Sequence, residues 1–183
     1  AKQSTKDYLP IDGSPQYTAL ICRLLFGPDH ELIKSGRSAA VQTPGGTGAI
    51  RVAANYLKAQ HPQVTVWMSE PTWPNHPKIM AAAGLTTRTY AYFNSETNEL
   101  EFAKMIDALD QIPEGDVVLL HGCCHNPTGV DPSPEQWKQI DELLARRRLL
   151  PLVDLAYQGF GESLTDDAQG LAALCRSNPE LLI

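Results

Sequence analysis

The segment HGCCHNPTG, residues 121–129, sets two histidines, two adjacent cysteines and an asparagine at the end of the apolar run VVLL. Three chemistries use such residues: a metal centre, a thiol nucleophile, or a polar strand-end loop that grips a ligand. Structural zinc sites space their cysteines by about two to four residues. Cys123 and Cys124 are adjacent, neighbouring side chains rarely both reach one ion, and no second ligand pair appears elsewhere, so no metal is expected. A Cys–His nucleophile needs a positioned base and an oxyanion hole, and nothing in the sequence selects one. The polar loop remains, with both cysteines as small packing residues.

Three further segments carry possible chemistry. QTPGGTGAIR, residues 42–51, is a glycine-rich turn entering a helix. It reads either as a plain tight turn or as a phosphate cradle, because backbone N–H groups and the helix dipole suit an anion there. It lacks the Gly-Lys-Ser/Thr ending of a nucleotide P-loop, and Arg51 stands where a dinucleotide fingerprint needs its third glycine. PLVDLAYQGF places Asp154 at the end of a buried strand, with Tyr157 three residues on. Asp154 is either a helix cap or the partner of a protonated ring nitrogen, the carboxylate that a pyridinium electron sink requires. EPTWPNH holds Trp73 in a proline-bracketed loop, as a core or rim residue or as a flat platform for a ring.

These segments need a scaffold, and the intervening chain supplies one. Apolar runs alternate with amphipathic stretches, which predicts α/β organisation with a mostly parallel sheet flanked by helices. Helices are expected over 15–26, 46–60, 74–84 and 101–111, and strands over 64–69, 86–93, 116–122 and 149–154. SPEQWKQIDELLARRR gives the clearest helix start: Ser133 as N-cap, Pro134 at the first helical position, Gln136 closing a capping box. Arg146, Arg147 and Arg148 then fall at its end, where cations suit the dipole. In open α/β sheets ligands bind beyond the carboxyl ends of the strands. VWMSEPTWPNH, HGCCHNPTG and DLAYQGF each follow a strand, so they form one site if their strands are neighbours.

Composition narrows the classes. The 183 residues suit one domain, and no internal linker is apparent. A net charge of −6 with scattered basic residues argues against nucleic acid. No apolar stretch approaches the ~18 residues of a membrane span, and the start lacks a signal-peptide segment. Four cysteines with an adjacent pair make a poor disulfide framework, so they are read as reduced and the protein as cytoplasmic.

Taken in order, DYLPIDG, TPGGTGA, PTWPNH, HGCCHNPTG and DLAYQGF resemble the aspartate/aromatic aminotransferases, class I pyridoxal-phosphate enzymes, over almost the whole chain. The resemblance implies the large domain of a fold-type I transferase, incomplete here, with pyridoxal 5'-phosphate as cofactor. It implies that Gly45, Gly46 and Thr47 hold the phosphate and that Trp73 stacks on the ring. It gives Asn126 and Tyr157 the phenolic oxygen, Asn126 and Trp73 the substrate carboxylate, and Asp154 the ring nitrogen, with His76 behind it. Tyr8 would reach the phosphate held by the other subunit of a homodimer. The implied reaction passes an amino group from an amino acid, aspartate or aromatic, to a 2-oxo acid such as 2-oxoglutarate. The family's Schiff-base lysine lies in an SxSKxxG-type segment, and none of this chain's lysines does. The closing ELLI reads as the strand leading into that segment. Residues 1–183 are therefore expected to be part of a large domain, inactive alone, without the small domain or the lysine. The alternative is a natural short binding or assembly module without catalysis.

Overall fold

The computed structural model describes residues 7–183. The chain forms two compact units, the first ending at Gly45 and the second running Gly46–Ile183.

In the first unit, helix α1 (Pro15–Phe26) starts where Ser14 accepts a hydrogen bond from the Tyr17 N–H, and it stops at Gly27, φ 84°. Helix α2 (Glu31–Lys34) is a single turn capped by the His30 ring, which accepts from the Leu32 N–H at 3.2 Å. Gln42 ties the unit together: its Oε1 accepts from the Ser14 N–H at 2.9 Å, and its own N–H donates to the Asp12 carbonyl at 2.9 Å. Helix α3 (Gly45–Gln60) opens at the boundary between the units.

The second unit continues with β1 (Thr65–Glu70), α4 (Asn75–Ala82), β2 (Thr86–Ala91), the short pair β3 (Phe93–Asn94) and β4 (Glu99–Leu100), and α5 (Phe102–Asp110). It then runs through β5 (Val117–His121), α6 (Pro134–Arg147), β6 (Leu150–Asp154), a single 3₁₀ turn at Asp166–Ala168 and α7 (Gln169–Ser177). The sheet order is β2-β1-β5-β6, every pairing parallel, with Val117 of β5 opposite Val66 on one side and Leu150 on the other. Beyond β6, Leu182 lies alongside Leu152 in the same sense. All five residues of β5 are buried, as expected of a strand covered on both faces.

Alternation along the strands divides the core. Val66 and Met68 of β1 with Val117 and Leu119 of β5 pack with Ile50, Ala54 and Leu57 of α3 and Ile79 and Met80 of α4. Helices α5, α6 and α7 lie side by side and add Met105, Leu109, Ile140, Leu144, Leu171 and Leu174. Each wholly buried leucine or methionine contributes roughly 1.5–3 kcal/mol relative to exposure.

The expected capping box of α6 is present: Ser133 accepts from the Gln136 N–H, and the Gln136 side chain accepts from the Ser133 N–H at 2.8 Å. The arginines at its end do more than face a dipole. Arg146 pairs with Asp110 at 3.0 Å, Arg148 with Glu114 at 2.8 Å, and Arg147 donates to the Ile112 carbonyl at 2.9 Å, fastening α6 to the end of α5. The strand expected over 86–93 divides at Tyr92. That side chain is buried and its hydroxyl donates to the Val130 carbonyl at 2.6 Å. Among the described residues, no helix is long and apolar enough to cross a membrane.

Gly170 of α7 lies close against Trp137 of α6. A Cβ there would lie 2.5 Å from the Trp137 ring. Helix propensity alone makes Gly→Ala stabilising by about 1 kcal/mol, whereas overpacking costs about 1–3 kcal/mol. The clash is with several ring atoms of a buried indole, so Gly170→Ala is expected to lower stability. A urea-unfolding midpoint equal to or above that of the parent protein contradicts this.

Candidate functional site

Strand order dictates where a site can form. From β1 the chain passes to β2 on one side, then returns to place β5 on the other side of β1. The segments leaving the ends of β1 and β5 therefore diverge, which opens a crevice at the topological switch point. A cleft of about 260 Å³ lies there, lined by Gly46, Thr47, Ile50, Trp73, His121, Cys123, Asn126, Asp154, Ala156 and Tyr157. This is slightly smaller than the ~300 Å³ at which ordinary small-molecule pockets begin, and it suits one substituted ring.

Of the residues expected from sequence, Gly46, Thr47, Trp73, Asn126, Asp154 and Tyr157 all line this cleft. Gly46 and Thr47 lie in the first turn of α3, where backbone N–H groups have no intrahelical partner and the dipole is positive. Gly45 opens the helix at φ 72°, a left-handed conformation that favours glycine. A Cβ on Gly46 would meet no atom within 4 Å, so packing does not demand a glycine there. Trp73 is half-buried against the core and stands edge-on to His76, ring centroids 5.2 Å apart. Tyr157 is exposed at the rim. Tyr8 belongs to the first unit and is fully exposed.

His76 is fully buried, and its Nε2 lies 2.9 Å from Asp154 Oδ2. The pair begins a longer chain. Thr72 Oγ1 lies 2.8 Å from His76 Nδ1 and 3.2 Å from His121 Nε2, and the Asn126 N–H donates to His121 Nδ1 at 3.5 Å. A backbone N–H can only donate, so His121 Nδ1 accepts. Burial, followed by the neighbouring His76, lowers the His121 pKa to about 4 and keeps the ring neutral. Its one proton is therefore on Nε2 and goes to Thr72 Oγ1. Thr72, accepting from His121, keeps its own hydroxyl hydrogen for a further bond, and His76 spans Thr72 through Nδ1 and Asp154 through Nε2. Asp154, its side chain 18% exposed, lines the cleft with one oxygen held this way.

A second chain supports the same loop from below. His125 is buried, with Nε2 2.9 Å from Ser69 Oγ and Nδ1 2.8 Å from Thr128 Oγ1, and its ring stacks on Tyr92 at 4.0 Å. Burial first, then His121, lowers its pKa to about 3. Two carboxylates pin loop backbones. Asp131 accepts from the N–H groups of Cys124 at 2.6 Å and His125 at 2.8 Å. Buried Asp167 accepts from Gly159 at 2.7 Å, Gly161 at 2.9 Å and Glu162 at 2.8 Å, and these bonds, that from Glu162 foremost, hold its pKa down. Between β5 and β6, the Gly122 N–H donates to the Asp154 carbonyl at 2.8 Å, and a Cβ on Gly122 would fall 2.6 Å from Leu155 and 3.1 Å from Val153.

Sequence reasoning missed Thr72, Asp131 and Asp167. Thr72 had one signal, its spacing of four from His76 across a helix start; the others depend on pairings distant in sequence. One expectation changes. Neighbouring cysteines rarely both reach one ion, yet the sulfurs of Cys123 and Cys124 and a carboxylate oxygen of Asp167 all lie within 4.8 Å of one another. Cys123 is buried as expected of a packing residue, which pushes its thiol up to about 12, but it also forms part of the cleft wall.

A parallel sheet with a glycine-opened helix and three strand-end loops around one crevice is an α/β domain with a cleft at its switch point. The chain belongs to the class I and II aminotransferase family, whose model matches residues 1–183. It is 50% identical to an aspartate aminotransferase of Haemophilus influenzae over 182 residues, 100% of this chain and 46% of the relative. It is 43% identical to an aromatic-amino-acid aminotransferase of Escherichia coli, over 96% of this chain and 44% of the relative. Among solved structures, an aromatic-amino-acid aminotransferase from Burkholderia pseudomallei, covalently bound to pyridoxal phosphate, matches with TM-score 0.95 and 42% identity over 97% of this chain and 44% of that one. The chain thus spans just under half the length of these relatives.

The lowered histidines make folding acid-sensitive. Between pH 6.5 and about 4 for His121, and about 3 for His125, the unfolded chain holds imidazole protons that the folded chain excludes. Stability is complete above about pH 6.5 and declines as pH falls through that window. Urea midpoints measured from pH 7 to 4.5 are expected to fall, and to fall less in His125→Gln. An equal slope in the two proteins contradicts the assignment.

Proposed function

We propose that this chain is the cofactor-binding part of a pyridoxal-phosphate-dependent aminotransferase that moves an amino group between an amino acid, aspartate or aromatic, and a 2-oxo acid such as 2-oxoglutarate. The observation that carries this reading is a single cleft bringing together the α3 N-terminus, Trp73, Asn126, Tyr157 and an Asp154 backed by buried His76. The names of the relatives, aspartate and aromatic aminotransferases, support the same reaction class.

The donor set fits a phosphorylated pyridine. Bound there, the cofactor supplies a protonated ring that accepts the electron pair left when the substrate Cα loses its proton. Gly45, Gly46 and Thr47 offer backbone N–H groups and a hydroxyl to the phosphate. Trp73 offers a flat face to the ring, and with Asn126 a donor to the substrate carboxylate. Asn126 and Tyr157 hold the phenolic oxygen. Asp154 keeps the ring nitrogen charged, since a nearby carboxylate favours a cation. His76 fixes the orientation of that carboxylate. Tyr8 completes the phosphate site of the other subunit in a homodimer. The proton-carrying lysine and the small domain lie in the remainder of the sequence, a reading supported by the relatives' greater length. Four free cysteines are consistent with a cytoplasmic protein.

Full-length protein loaded with pyridoxal phosphate is expected to aminate 2-oxoglutarate from aspartate, tyrosine or phenylalanine; no turnover with any donor sinks the proposal. Asp154→Ala is expected to reduce kcat on the order of 100-fold or more, the scale of removing one preorganised electrostatic partner. Trp73→Ala should act more weakly, mainly on cofactor or substrate affinity. Near-normal kcat in Asp154→Ala removes the role given to that carboxylate.

A further inference from the structure

The convergence of Cys123, Cys124 and Asp167 is not used by the transfer chemistry, and it has the composition of a ligand set. In an extended strand, successive side chains point to opposite faces. Cys124 instead takes φ 47°, just past the end of β5, which breaks the alternation and leaves both sulfurs within 4.8 Å of each other and of the Asp167 carboxylate. The three donors are held from outside the cluster. The Asp131 carboxylate accepts from the Cys124 N–H at 2.6 Å, Cys123 is buried in the cleft wall, and Asp167 is anchored by the N–H groups of Gly159, Gly161 and Glu162.

Size and softness then select the guest. Zinc–thiolate bonds of ~2.3 Å at tetrahedral angles put two donors ~3.8 Å apart. The donor atoms lie within 4.8 Å of one another, so a shift of at most about 1 Å brings any pair to the zinc spacing, and less suffices for a larger ion. Thiolate ligands favour soft cations. We propose that Cys123, Cys124 and Asp167 bind one soft divalent d¹⁰ cation of the cadmium class. On binding, each thiol gives its proton to water and its sulfur forms a bond to the ion. The Asp167 carboxylate supplies a third donor while keeping its backbone partners, so the ion carries two thiolates and one carboxylate.

The test is titration of Cd²⁺ into the full-length protein, reduced with a phosphine so that no added thiol competes. One equivalent is expected to bind with ultraviolet thiolate-to-metal charge-transfer absorption and to be retained in native mass spectrometry. Cys123→Ser and Cys124→Ser should each abolish the band, while Cys22→Ser and Cys175→Ser retain it. Asp167→Asn should weaken binding about tenfold. A band that survives either Cys123→Ser or Cys124→Ser, or its absence from the parent protein, overturns the site. Unchanged affinity in Asp167→Asn overturns the three-donor assignment. A measurement without substitution guards against misfolded variants: bound Cd²⁺ should slow iodoacetamide alkylation of Cys124 and not of Cys22, as read by peptide mass. Equal alkylation of Cys124 with and without the ion also overturns it.

Discussion

A carboxylate at the end of a buried strand has to be compensated, and much of the site follows from how Asp154 meets that demand. His76, with no exposed surface, sits 2.9 Å away and depends on Thr72 for its own second nitrogen. Thr72 is shared with His121, which is set by the Asn126 amide. Buried polar networks of this kind are stabilising only when every member is satisfied. The Asp154 side of the cleft and the Asn126 side are thus two ends of one hydrogen-bonded structure, although the residues are far apart in sequence.

The sheet supplies the frame on which that structure is hung. Four parallel strands with β5 buried on both faces leave their carboxyl ends in a row, and the reversal at β1 opens the space between. The loops that fill this edge owe their shape largely to carboxylates bonded to main-chain amides. Asp131 holds the amides of Cys124 and His125, and Asp167 those of Gly159, Gly161 and Glu162. Charge-assisted bonds to backbone N–H groups are roughly twice as strong as neutral ones. They let the loops stay ordered beside a cavity without an apolar core beneath each.

Local rules made a good part of this readable. The Ser133–Gln136 capping box, the unbroken VVLL run and the placement of Trp73, Asn126 and Asp154 after strands are encoded within a few residues, and the structure places them as expected. What escaped is non-local or conformationally unmarked. Strand order and the pairing of His121 with Thr72 are settled by packing across the sheet. Tyr92 has the sequence pattern of one more strand residue, but its hydroxyl bonds to Val130, 38 residues away. The convergence of the two cysteines rests on a left-handed Cys124, where neither glycine nor asparagine announces the turn. Helices α2 and α7 went unread because one is a single turn and the other follows a loop organised by Asp167.

Gly122 gives this edge a built-in gauge. Its amide reaches the Asp154 carbonyl only because no side chain holds Leu155 and Val153 away. The separation between the strand presenting the carboxylate and the loop presenting Asn126 is thereby calibrated by an atom the chain does not have. A methyl group there would act as a shim, prising the two walls apart and detuning both contacts at once.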